Sequence, residues 1–181
     1  MIDVVPAESV HVDAVAALLD ELNTYYGEAE VESLDVRVRQ INEALFGDPP
    51  LAYAVLALDA DALVGLATYS FLWPAVGLTR SLYLKELHVA ETARGRGVGR
   101  LLMDRLVDVG IANSCSRIEW TTDRANADAQ RFYDRMGSGQ NGNKIFYRIE
   151  GQRLRSKGVT SSGPATSEPT WLATSISEYT Q

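Results

Sequence analysis

The 181-residue chain has one cysteine, Cys115, so no disulfide can form within it. Its two histidines, His11 and His88, lie far apart, and no cluster of ligands has metal-site spacing, so no metal is expected. Nothing approaches the roughly 20 consecutive apolar residues of a membrane span. The opening "MIDVVPAESV" has neither a basic start nor an apolar run, so no signal peptide is expected and the cytoplasm is the expected compartment. Lys and Arg are missing from residues 1–36, which hold nine acids, among them Glu21, Glu28 and Glu30. With a net charge of −7 there is no broad basic face, so neither nucleic acid nor a membrane is an expected partner. A small charged molecule suits the pattern better: an anion near the clustered arginines, a cation near the acidic end.

What is present reads as one domain over residues 1–150, followed by a tail over 151–181 rich in Ser, Thr, Gly and Pro. "IDVV" reads as a strand that ends at Pro6. A helix follows, with Ser9 as its cap and Val15, Leu18, Leu19, Leu22 and Tyr26 on one stripe. A second helix carries Leu34, Val38, Ile41 and Leu45 and stops at "GDPP". "LAYAVLAL" and "ALVGLATYSF" are strands joined at hairpin spacing by "DAD", and "SLYLKELHV" is a third strand. Then come a helix striped by Val98, Leu101, Leu102, Leu106 and Val109, the strand "RIEWTT", the helix "NADAQRFYDRMG" and a last strand, "KIFYRIE". That order predicts a mixed α/β (α+β) fold: an antiparallel meander continued by strand–helix–strand crossovers, in a mostly antiparallel sheet with about four helices.

"ARGRGVGRLL" sits between a strand and a helix and sets Gly95, Gly97 and Gly99 on alternate positions among Arg94, Arg96 and Arg100. A glycine-rich turn into a helix suits an anion, because the first N–H groups of the helix are unpaired and carry its positive end. The spacing is not G-x-x-x-x-G-K-[ST], so no nucleoside-triphosphate loop is present. Nor is it G-x-G-x-x-G, since Arg100 stands three residues after Gly97.

What remains, R-x-x-G-x-G at Arg94, Gly97 and Gly99, resembles the pyrophosphate-binding motif of the GNAT superfamily of acyl-CoA N-acyltransferases. "LYLKELHVAETARGRGVGRLLMDRLVD" resembles the strand–loop–helix motif of that family. "IEWTTDRANADAQRFYDRMG" resembles its second motif, with Asn126 and the Phe132–Tyr133 pair in place. The likeness covers residues 1–150 and is greatest to the diamine and thialysine N-acetyltransferases, through "LLDELNTYYGE", "ALFGDPP", "VGLATYSF" and "LYLKELHV".

The resemblance implies acetyl-CoA as co-substrate, bound by the backbone of Leu87, His88 and Val89, by the loop Arg94, Gly95, Arg96, Gly97, Val98, Gly99 and Arg100, and by Asn126. It implies Tyr133 as the acid that protonates the CoA sulfur, direct transfer in a ternary complex, and a homodimer. For the base, Glu86 is a carboxyl in an otherwise apolar strand, and His88 on the same face is the alternative. The acceptor, a small amine, is expected near Glu21, Tyr25, Tyr26 and Lys85. In the diamine enzymes an acidic pair stands where this chain has Lys85–Glu86, which leaves a lysine-like amino acid, another small amine or a peptide amine open as acceptor.

Overall fold

The computed structural model describes residues 1–26, 32–149, 151 and 153, with residues 23–26 described through their backbone only. The chain divides into two compact units, Met1–Ser138 and Gly139–Gln181. The first runs β1 (Ile2–Pro6), α1 (Val12–Tyr26), α2 (Leu34–Phe46), β2 (Tyr53–Asp59), β3 (Ala62–Leu72), β4 (Arg80–Val89), α3 (Val98–Ala112), β5 (Cys115–Glu119) and α4 (Ala127–Arg135). The five strands form one sheet in chain order. β1 to β4 are antiparallel, and β5 runs parallel to β4 after the α3 crossover. A mixed, mostly antiparallel sheet with four helices is what the order of apolar segments predicts.

Successive strand residues point to opposite faces, so a sheet covered on both sides needs strands that are apolar almost throughout. "AVLA" in β2 shows this: Val55 and Ala57 enter the core under α3, while Ala54 and Leu56 enter the one under α1. α3 contributes Val98, Leu102 and Leu106, each at most 1% exposed, and each burial stabilises by about 1.5–3 kcal/mol. Leu101, expected on that stripe, turns outward. α1 contributes Val15, Leu18 and Leu22, at the 3.6-residue period that one buried stripe requires.

Three local expectations are corrected. Ser9 does not cap α1: it lies in a short 3-10 turn, Ser9–His11, whose cap is Glu8, and the Glu8 backbone N–H donates to His11 Nδ1 at 3.0 Å. β5 starts and ends earlier than "RIEWTT", leaving Trp120 just past the strand. Residues 144–149, read as a last strand, pair with no described strand, and Ile145, Phe146, Tyr147 and Ile149 are exposed. Aromatic and β-branched residues suit a pleated surface, but a strand exists only where a neighbour's N–H and C=O groups complete the ladder. Glu150 lies outside the described residues, as does all of the tail except Gly151 and Arg153.

Candidate active site

β4 changes phase in its middle. Glu86 pairs with Thr68 and Leu84 with Tyr69, which leaves Lys85 as an extra residue, a β-bulge. On its N-terminal side Leu82 and Leu84 face α3, and on its C-terminal side Leu87 and Val89 do. The residues between them, Glu86 and His88, therefore turn to the α1 face of the sheet.

The same half of the strand lacks a partner on one edge. β5 pairs with β4 only over Arg80–Tyr83, while β3 pairs with it through Val89. The Ala90 N–H donates to Val64 O of β3 at 3.0 Å. By alternation the His88 backbone also faces β3, and the N–H and C=O groups of Leu87 and Val89 face the gap beyond the end of β5. Of the three backbones expected to bind cofactor, the structure brings Leu87 and Val89 to that gap and turns His88 to the sheet.

The glycine loop begins at the end of β4. Gly95 (φ 75°) and Gly97 (φ 82°, ψ 2°) are left-handed, a conformation that costs any residue with a Cβ, and Gly97 caps α3. A Cβ built on either meets nothing within 4 Å, so the loop has open space on that side. Gly99 serves differently: its built Cβ comes 3.3 Å from the Phe132 ring and 3.9 Å from Val89 Cγ2, so α4 packs closely on the first turn of α3. Val98 is buried at 1% exposure and anchors that turn.

The arginines are each engaged. Arg94 Nε donates to the Val89 carbonyl at 3.2 Å, which folds the loop back on the strand end. Arg96 Nη2 bonds Asp59 Oδ2 of β2 at 2.6 Å, and this guanidinium holds the Asp59 carboxyl below its ordinary range. Arg100 bonds Asp104 one turn along α3 at 2.8 Å. Asp59 is a counter-charge that the loop motif alone does not reveal.

Asn126 starts α4 by accepting from Ala129 N–H through Oδ1 at 3.0 Å. Two adjacent helical aromatics diverge: Phe132 packs against the α3 core, and Tyr133 lies on Trp120 with centroids 5.0 Å apart. Trp120 directly follows β5, so Tyr133 stands where β4 and β5 part. Gly137, at φ 79°, closes the helix.

On the α1 face, Lys85 Nζ bonds Glu86 Oε1 at 2.9 Å. His88 is 6% exposed, and Glu21 Oε2 lies 3.9 Å from its Nε2. Burial and the Arg94 charge press the imidazole below its ordinary 6.5, against the pull of Glu21 and Glu86, so it is neutral at pH 7. Tyr25 and Tyr26 end α1, but their side chains, and all of Glu28 and Glu30, lie outside the described residues. Among the described residues no group of metal-binding side chains occurs, and no helix is long and apolar enough to cross a membrane.

Comparison with known proteins accords with this geometry. The model of the acetyltransferase (GNAT) family matches residues 15–138. Thialysine N-epsilon-acetyltransferase of Mus musculus is 25% identical over 142 residues, covering 70% of this chain and 83% of that protein. The protein of the same name from Bos taurus is 27% identical over 122 residues, covering 61% and 71%. An integron cassette protein from the mobile metagenome of V. cholerae has a TM-score of 0.81 at 28% identity, covering 88% of this chain and 98% of that one. The aminoglycoside N-acetyltransferase AAC(6')-Iy, solved in complex with CoA, shares the fold with a TM-score of 0.68 at 20% identity, covering 83% and 96%. The chain belongs to the acetyltransferase (GNAT) family and is an acetyl-CoA-dependent acetyltransferase.

Proposed function

We propose that the protein transfers the acetyl group of acetyl-CoA to the primary amine of a small cationic acceptor, directly and without an acyl-enzyme. The observation that carries this is the divided half-strand Glu86–Val89. Its backbone edge opens beside the glycine loop, and its polar side chains face the acidic helix α1. Acetyl-CoA supplies an activated acyl carbon on a thiol leaving group. The loop from Arg94 to Arg100 suits its pyrophosphate, since it leads into the N-terminus of α3 and a Cβ built on Gly95 or Gly97 meets nothing within 4 Å. The outward N–H groups of Leu87 and Val89 suit a carbonyl oxygen that gains charge. Glu86 is the proposed base for the amine proton, and the Tyr133 phenol, braced by Trp120, the proposed proton donor to the departing sulfur. Cys115 lies at the opposite end of β5 from Trp120, and burial raises its thiol pKa, which favours direct transfer over a cysteine relay.

Relatives named for thialysine acetylation support a lysine-like amine, and the acidic α1 supports a cationic one. The test is calorimetry with acetyl-CoA, followed by thiol release across diamines, lysine analogues, aminoglycosides and peptides. Saturable acetyl-CoA binding with turnover of a small amine is expected. Turnover confined to peptides would overturn the acceptor class, and binding without any turnover would overturn catalysis.

A further inference from the structure

His88 presents a buried nitrogen that the chemistry above does not use. Its Nε2 is shielded from solvent and has no hydrogen-bond partner among the described residues, although native interiors rarely leave such an atom unpaired. The facing carboxylate is Glu21, whose Oε2 stands 3.9 Å away while its side chain is 57% exposed at the surface. Its neighbours on this face are already matched: Asp20 bonds Arg37 at 2.8 Å, and Glu86 bonds Lys85 at 2.9 Å. Glu21 alone among these three acids faces a neutral group rather than a fixed cation.

We propose that Glu21 is the docking point for the ammonium group of the acceptor, and that His88, through Nε2–H, is the positioning residue that holds this carboxylate toward β4. The proposal rests on the acetyl-transfer reading and adds the element of acceptor recognition. A small rotation of the Glu21 side chain closes the gap to hydrogen-bond distance. One carboxylate oxygen then meets the imidazole, and the other is left for the substrate. A neutral donor suits this task because it orients Glu21 without cancelling its charge, as a lysine or arginine would.

The charged groups around the imidazole are Glu21 on α1, Arg94 on the loop and Glu86 on β4 itself. Burial and Arg94 keep it neutral at pH 7; when acid charges it, it becomes an internal competitor for Glu21. The acceptor KM therefore rises as pH falls below the ordinary histidine range, while kcat at saturating acceptor is not altered by this group.

The experiment is steady-state kinetics on the full chain at saturating acetyl-CoA, with the best amine of the panel, for wild type, Glu21→Gln, His88→Leu and His88→Gln. Glu21→Gln and His88→Leu are expected to raise the acceptor KM by about tenfold to a hundredfold, with kcat and acetyl-CoA affinity within about twofold of wild type. His88→Gln, whose amide N–H reaches a similar point, is expected to recover most of the loss and to abolish the acid-side rise in KM. Because the chain has only two histidines, NMR of the imidazole ring, assigned with His11→Gln, gives a readout independent of turnover. The His88 signal should shift when amine is added to the CoA-bound wild-type protein. That titration and Glu21→Gln decide the matter if His88→Leu does not fold. An unchanged KM in Glu21→Gln, or a loss confined to kcat, overturns the assignment. A wild type that neither binds acetyl-CoA nor turns over amine overturns the acetyl-transfer reading instead.

Discussion

Replacing Gly97 separates two reasons for a glycine, backbone conformation and room for a ligand. At φ 82° and ψ 2°, with nothing within 4 Å of a built Cβ, Gly97→Ala meets no clash, so its cost is conformational. Holding a residue with a Cβ in the left-handed region costs roughly 1–2 kcal/mol. Restricting the unfolded chain returns about 0.4–1 kcal/mol of that. The net, about 0.8 kcal/mol, lowers the midpoint of thermal unfolding by roughly 2–3 °C for a chain of this length. Gly97→Asn, which tolerates the same backbone, should unfold close to wild type. Acetyl-CoA affinity should follow a different order: both variants put a Cβ on the open side of the loop, so both should bind more weakly by calorimetry, Asn no better than Ala. If Ala unfolds like Asn and both bind acetyl-CoA like wild type, the loop neither needs a left-handed residue nor cradles phosphates.

Gly65→Val should destabilise by overpacking, about 1–3 kcal/mol in urea unfolding, because its Cβ falls 2.8 Å from Val98 Cγ1 and 3.3 Å from the His88 carbonyl. An unchanged urea midpoint would contradict that close approach. Leu102→Ala, at 0% exposure beneath α3, should cost about 2–5 kcal/mol, and less than 1 kcal/mol would mean that the core is not built around it. Tyr133→Phe keeps the ring on Trp120 and removes only the hydroxyl, so kcat should fall ~100- to 10,000-fold with little change in thermal midpoint; undiminished kcat removes it as the acid. His88 is held below its ordinary 6.5 in the fold, so as pH falls the unfolded chain takes up the proton first. Its share of stability is full above that value and declines below it. Wild type should lose more stability than His88→Gln between about pH 7.5 and 5.5, and equal losses would refute this sign.

The parts legible in the sequence are those fixed by neighbours in the chain. R-x-x-G-x-G constrains one turn and one helix start, and the left-handed Gly95 and Gly97 accord with that reading. The stripe Val98, Leu102, Leu106 likewise follows from one helical period. Where distant segments decide, the sequence is silent or misleads. "LYLKELHV" alternates well enough to pass for one regular strand, and the extra residue at Lys85 shows only in the register with Thr68 and Tyr69. "KIFYRIE" has strand composition, yet residues 144–149 have no ladder among the described residues. The pairing of Arg96 with Asp59, 37 positions apart, depends on where β2 ends and on no local pattern.

The bulge at Lys85 acts as a parity switch for everything downstream of it in β4. Had β4 alternated strictly through Lys85, Glu86 and His88 would fall on the side of Leu82 and Leu84, in the apolar layer under α3, and Leu87 and Val89 would move to the α1 side. The side chains would be the same, and the chemistry would be facing the wrong way. Deleting Lys85 would straighten the strand yet leave each downstream residue on its present face, whereas flattening the bulge at full length would exchange the two faces of the site.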